Sequence, residues 1–145
     1  MKKENKIVLL IISVLIIIDQ ITKLVFLSKS WTIPNQDNGY HIIISIIIVI
    51  LIFRYILSNN SYIKKETKIV LSFAIAGAVS NVIDRLWKYS VILIINLGHH
   101  VEINLAYIYI IIAWVGMAII MTKNTIKMIK EKKKKTERNN TKNEN

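Results

Sequence analysis

The sequence predicts an all-α integral membrane protein with four transmembrane helices, both termini cytoplasmic and short outer segments. Three observations carry that expectation. Hydrophobic residues make up 53% of the 145 residues and mean hydropathy is +0.44. Charged residues fall to 20%, against about 25% in soluble domains, and many of them lie in the tail. Four apolar stretches, residues 7–27, 41–57, 69–87 and 103–121, approach the roughly 20 residues that a helix needs to cross about 30 Å of hydrocarbon.

The first stretch follows Met1-Lys2-Lys3 and is apolar in the manner of a signal peptide. No small-x-small cleavage site follows it, and Asp19 and Lys23 interrupt its outer end, so it reads as a retained span. Most of the Ile-rich runs favour strands by residue type, but their length and spacing favour buried helices. A β-barrel needs many alternating segments of about ten residues, and none are present.

Charge orients the spans, because Lys and Arg near span ends stay cytoplasmic. Lys2, Lys3 and Lys6 precede span 1, and Arg54, Lys64, Lys65 and Lys68 lie between spans 2 and 3. Nine more basic residues follow span 4, from Lys123 to Lys142. The other face has Lys23, Lys29, Arg85 and Lys88. Residues 1–122 therefore form a membrane domain with outer segments at 28–40 and 88–102, and residues 123–145 form a basic, disordered cytoplasmic tail. The Lys132-Lys133-Lys134-Lys135 run invites a nucleic-acid reading. Beside a span its simpler meaning is topology and attraction to anionic lipid, so the expected partner is the bilayer and not nucleic acid.

The chain has no cysteine, which removes thiolate nucleophiles, disulfides and cysteine metal sites. Chemistry is then sought among ionisable groups inside the spans, where each costs roughly 2.5 to 3.5 kcal/mol on insertion scales. Asp19, Gln20, Thr22 and Lys23 form one group, with Asp19 and Lys23 four apart on one helix face. Asn81, Asp84 and Arg85 form a second at i, i+3 and i+4. Asp19 lies about 18 Å beyond Ile7 and Asp84 about 22 Å beyond Ile69, so both sit near the same outer depth. Two readings follow: local ion pairs, Asp19 with Lys23 and Asp84 with Arg85, or two helices that bring their polar faces together. Gly77, Ala78 and Ser80, with Ala113 and Gly116 in span 4, favour close helix approach.

These residues resemble the lipoprotein signal peptidase (signal peptidase II) family. Asp19-Gln20-Ile21-Thr22-Lys23 is similar to its DQxTK motif, and the run from Gly77 to Leu86 to its GAxxNxIDRL motif. Asn104-Leu105-Ala106 matches the start of its NxAD motif. The resemblance covers residues 7–121 and implies an intramembrane aspartic endopeptidase of the bacterial cytoplasmic membrane. Its substrates are diacylglyceryl-modified prolipoproteins, cleaved just before the lipidated cysteine. It needs no cofactor or metal. In family terms Asn81 and Arg85 hydrogen-bond the bound peptide, with Asp19, Lys23, Asp84 and Asn104 completing a polar wall.

The resemblance breaks at the two catalytic aspartates. The family's VVDF-like segment reads Val91-Ile92-Leu93-Ile94 here and NxAD reads Asn104-Leu105-Ala106-Tyr107, so Leu93 and Tyr107 stand at the two positions. Asp19, Asp37 and Asp84 are the only aspartates, so no shifted alignment restores a downstream pair. The resemblance thus implies a homologue without an intact catalytic dyad, able to bind lipidated signal peptides. An active enzyme that pairs Asp84 with Asp19 or Glu102 is the first alternative. A small exporter with a proton-exchanging carboxylate is the second, against which the adjacent cations count. The first outer segment lacks a clear NxGxAF motif; Asn35 or Asn38-Gly39-Tyr40 is its nearest remnant, and the family's outer β-structure is in doubt. His99-His100-x-Glu102 lacks fixed ligand spacing and a fourth partner for a metal. Trp31, Trp87, Tyr40, Tyr89 and Tyr107 read as an interfacial aromatic belt. Ser13, Ser45 and Ser72 have no visible general base.

Topology is testable without reference to catalysis. Reporters fused after Ile63 and after Asn145 are expected to register cytoplasm and one at Asp37 the outside; the opposite pattern removes the four-span assignment.

Overall fold

A computed structural model describes residues 3–27, 31–34, 40–57, 63–98 and 102–143. Four helices carry the chain: α1 (Lys3–Val25), α2 (Tyr40–Leu57), α3 (Lys65–Lys88) and α4 (Leu105–Asn143). Between them lie four short strands, β1 (Trp31–Pro34), β2 (Ser90–Leu93), β3 (Ile95–Asn96) and β4 (Glu102–Ile103). Three helices are long and apolar enough to cross a membrane, and a shorter apolar helix, Ile42–Leu57, accompanies them.

Contacts at the helix ends fix the directions. Lys68 near the start of α3 donates to Asn5 near the start of α1 (3.0 Å), and Lys23 near the end of α1 donates to Asp84 near the end of α3 (2.6 Å), so these helices run parallel. Asn5 also donates to the carbonyl of Leu57 at the end of α2 (3.2 Å), which turns α2 the other way. Lys64 meets Asn124 (3.0 Å) at one end of the α3–α4 pair, while Gly77 backs onto Ala106 at the other. The bundle is therefore up-down-up-down, with α3 packed against all three other helices.

Packing follows from small residues and one apolar seam. Val8 and Ile12 of α1, Ile56 of α2 and Ile75 of α3 form a buried cluster, flanked by Ile16, Val49, Ile52, Phe53, Leu71 and Val79. Gly77 lets α3 and α4 touch: a Cβ there would collide with the Ala106 carbonyl oxygen and come within 2.8 Å of Ile110 Cγ1. Gly116 does the same against a side chain and not backbone, since a Cβ would meet the two methyls of Val70 at 2.9 and 3.1 Å. Most other large apolar residues, among them Ile43, Ile44, Ile47, Trp114 and Val115, face outward. Outward apolar faces on every helix suit lipid, whereas a soluble monomer rarely exposes so much.

The connections depart from the all-α expectation. The segments after α1 and after α3 leave the same end of the bundle, so β1 pairs antiparallel with β2, Trp31 opposite Leu93 and Pro34 opposite Ser90. β3 pairs with β4, Ile95 opposite Ile103. The doubt about outer β-structure is thus corrected. Trp, Thr, Ile and Val fit a pleated surface, and no family motif is needed to form it. Tyr89 ends α3 in the left-handed region (φ 53°) and turns the chain back so that β2 lies against α3. Asn35, Asp37, Asn38, Gly39, His99 and His100 lie outside the described residues.

Beyond its apolar part α4 continues as helix through Asn143. From Lys123 onward the sequence has no Gly or Pro and is rich in Lys and Glu, good helix formers. Lys127 and Glu131 add an exposed i,i+4 pair at 3.9 Å. At 39 residues α4 is about 58 Å long and overshoots a bilayer.

The Gly77 contact yields a graded prediction. Gly77→Ala is expected to destabilise the detergent-solubilised protein by roughly 1–3 kcal/mol, as overpacking against backbone does. Gly116→Ala is expected to cost less, because the new Cβ meets side-chain methyls of Val70 and not backbone; thermal unfolding of the two variants side by side checks the order.

Candidate functional site

The polar faces of α1 and α3 meet at the end of the bundle that carries the strands. On α1, Asp19, Gln20 and Lys23 occupy consecutive turns; on α3, Ser80, Asn81 and Asp84 do the same. The ammonium of Lys23 lies 2.5 Å from Asp19 Oδ2 and 2.6 Å from Asp84 Oδ2. Asp19, Lys23 and Asp84 are all at most 2% exposed. The pairing is therefore not the local one that sequence allowed for Asp84 with Arg85. One lysine grips a carboxylate on its own helix and a carboxylate on the next.

Every oxygen of the two carboxylates finds a donor, as burial of charge requires. Asp19 Oδ2 accepts from the Ser80 hydroxyl (2.5 Å) and its Oδ1 from the Ala106 backbone N–H (2.9 Å). Asp84 Oδ1 accepts from the Gln20 amide (3.0 Å), and its Oδ2 also receives the Ile92 N–H (3.3 Å). Gln20 donates as well to Ser80 Oγ (2.9 Å). No buried side-chain nitrogen or oxygen among the described residues lacks a partner.

Asn104 extends the network to α4. Its Oδ1 accepts the Tyr107 N–H (2.9 Å), three residues on, as an N-cap side chain does. Its amide donates to Asn81 Oδ1 (2.9 Å) and to the Ile92 carbonyl (2.9 Å). Asn81 Oδ1 is approached also by Lys23 Nζ at 3.4 Å. The start of α4 thus has its exposed N–H groups met by Asn104 and by the Asp19 carboxylate, an anion where the helix dipole favours one.

Of the residues picked from sequence, Asp19, Lys23, Asn81, Asp84 and Asn104 are joined in one hydrogen-bonded network. Arg85 follows Asp84 on α3 and is half-buried. Leu93 is fully buried in β2, directly after Ile92, whose N–H and C=O are held by Asp84 and Asn104. Tyr107 is half-buried in the first turn of α4. Sequence reasoning used Ser80 only as a small residue, yet its hydroxyl links Gln20 and Asp19. Its place four residues before Asp84, on the same helix face, was the available signal. The Ile92 and Ala106 backbone donors had none. Among the described residues no group of three His, Asp or Glu could hold a metal. The space between Asp19 and Asp84 is filled by the Lys23 ammonium.

Comparison with known proteins bears on the same region. The family model described as signal peptidase (SPase) II matches residues 26–123, which starts just past Lys23 and takes in α2, α3 and the apolar part of α4. Two solved structures, described as bacterial membrane enzyme structures obtained by the in meso method at 2.3 and 1.9 Å, share the fold. The first has a TM-score of 0.72 at 22% identity, over 83% of this chain and 90% of its own. The second has 0.70 at 21%, over 80% and 92%. No curated protein matches the sequence.

The bridging lysine gives a clear expectation. Lys23→Met leaves two buried carboxylates facing one another and should cost about 3–5 kcal/mol, the penalty for breaking a buried pair. Adding Asp84→Asn to Lys23→Met removes one of the opposed charges and should recover part of the loss. Chemical or thermal unfolding in detergent over this double-mutant cycle measures the coupling; strict additivity contradicts the bridge.

Proposed function

The chain belongs to the signal peptidase II family, and from that premise we propose that it is a membrane homologue that binds lipidated peptide without cleaving it. The family's polar wall is kept, in Asp19, Lys23, Asn81, Asp84, Arg85 and Asn104. The two residues that would form the aspartic dyad are replaced by Leu93 and Tyr107. It resides in the bacterial cytoplasmic membrane with both termini inside, and its ligands are diacylglyceryl-modified signal peptides or a similar lipid.

The observation that carries this reading is the chemistry of positions 93 and 107. Aspartic catalysis needs two carboxylates around one proton, one acting as base on water and the other polarising the scissile carbonyl. A leucine supplies neither role, and a tyrosine phenol cannot take the part of a carboxylate base at neutral pH. Peptide binding asks less. The Oδ1 of Asn81 is already engaged by Asn104 and Lys23, so its half-exposed amide is oriented to donate to a peptide carbonyl. Arg85, one position beyond Asp84, brings a planar fork of donors suited to the same task.

A specific observation also bears on the active alternative. Asp19 and Asp84 grip the same ammonium and so lie close together. Lys23, however, occupies the place between them that a shared proton or a water needs, and all three groups are sealed from the surface. The exporter reading asks for an unpaired membrane carboxylate, and both candidates are paired.

The decisive experiment incubates the reconstituted protein with a diacylated prolipoprotein peptide. The expected outcome is retained binding, including of a lipopeptide that mimics the signal peptide, with no hydrolysis. Cleavage that is abolished by Asp84→Asn would establish the active alternative instead. Leu93→Asp and Tyr107→Asp alone should also give no cleavage, since one restored acid is half a dyad. Only the double variant can gain activity, at a stability cost of several kcal/mol for burying new acids.

A further inference from the structure

The lipid-facing side of α1 and α3 carries a cavity beside the polar wall, with which it shares Lys23 and Asp84. Along the inner part of the two helices, α2 lays Val49, Ile52, Phe53 and Ile56 over Val8, Ile12 and Ile75. The other half of α2 turns Ile43, Ile44, Ile46, Ile47 and Ile48 outward. Beyond that divergence the α1–α3 groove opens into a pocket of about 280 Å³. Leu24 and Leu27 of α1 face Ile83 and Trp87 of α3 across it, over the buried Lys23–Asp84 pair. Gln20, Lys23, Asp84 and Ile92 complete its lining, whereas Leu93, Tyr107, Asn81, Arg85 and Asn104 do not line it.

Its walls are apolar and its outer margin is not. Trp87 is 78% exposed and Leu24 67%. Lys88 lines the same pocket at the last residue of α3, is exposed, and has no salt-bridge partner among the described residues. An unpaired lysine beside an exposed tryptophan at a span end sits at headgroup level, where both residue types anchor. The cavity is below the usual range for drug-sized ligands, roughly 300–1,000 Å³. An apolar slot that ends in a free cation is complementary to a hydrocarbon chain that ends in an anion.

We propose that this α1–α3 pocket is a phospholipid site, which takes part of one acyl chain between Leu24, Leu27, Ile83 and Trp87 and the lipid phosphate on Lys88. The occupant is an anionic membrane lipid and not the peptide ligand, because the slot opens between the exposed Leu24 and Trp87 and ends at Lys88, while Leu93 and Tyr107 do not line it. The inference requires that α1 and α3 span the membrane but is independent of whether the protein binds or cleaves peptides.

The test uses the full chain with one tryptophan at a time, in vesicles that mix phosphatidylglycerol and phosphatidylcholine, either of them brominated in the acyl chain to quench fluorescence. With Trp31 and Trp114 changed to Phe, Trp87 is expected to be quenched preferentially by phosphatidylglycerol, with a relative association of about fivefold, the factor expected of one lysine near the surface. Lys88→Gln should bring that ratio to about one. Ile83→Phe, which fills the slot, should reduce quenching by both lipids. With Trp114 as the sole reporter, on the outward face of α4, no preference is expected. Equal quenching at Trp87 by the two lipids, a preference that survives Lys88→Gln, or the same preference at Trp114 overturns the proposal.

Discussion

A single ammonium group organises this end of the molecule. Lys23 reaches Asp19 on its own helix and Asp84 on α3, and in a medium without water those charges have few other ways to be satisfied. Once the three are in place, the free carboxylate oxygens collect the other elements. Asp19 takes the start of α4 through Ala106, and Asp84 takes β2 through Ile92. Helix direction, the return of the chain after α3 and the placement of α4 all converge on one buried cluster. Lipid cannot supply a comparable force, because apolar side chains gain little by leaving lipid for one another.

A second polar contact at the opposite end gives the bundle its other fixed point. The carbonyl of Leu57 at the end of α2, the Asn5 amide and Lys68 form a chain of hydrogen bonds between three helix ends, with Asn5 and Lys68 nearly fully buried. Between the two polar ends, contact is made by small residues and a narrow apolar seam. Gly77 sets the α3–α4 separation, since any side chain there meets backbone. The remaining apolar surface faces outward, which is economical for a protein whose solvent is hydrocarbon.

The polar network also bears on the proposal that this chain keeps the family scaffold without its catalytic dyad. Asp19, Lys23, Asn81, Asp84 and Asn104 hold helices and strands to one another, and the fold depends on them whatever the protein binds. Positions 93 and 107 carry no such duty. Ile92, not Leu93, receives the side-chain hydrogen bonds that tie β2 down, and Tyr107 is engaged through its backbone N–H. On the proposed reading, in which Leu93 and Tyr107 stand where the family has two acids, the architecture is left standing and buried charge, which is costly, is exchanged for side chains that are cheap to bury.

The sequence alone determined the apolar segments, the polar groups at a common depth and the family, because these depend on residue type and spacing along one chain. Asp19 with Lys23, and Asn81 with Asp84, were legible as helix faces for that reason. It also specified that no aspartate follows Asp84. The partner of each charge was decided elsewhere. Sequence spacing offered Arg85 to Asp84, and only the packing of α1 against α3 gave it Lys23. The strand pair β1–β2 was equally hidden, since Trp31 and Leu93 meet only when two connections leave the same end of the bundle. The lysine run of the tail is polar enough for disorder by composition and also rich enough in helix formers to extend α4. Local periodicity reports which face of an element is polar; which other face it meets is a long-range contact, and that information exists only once the helices are packed.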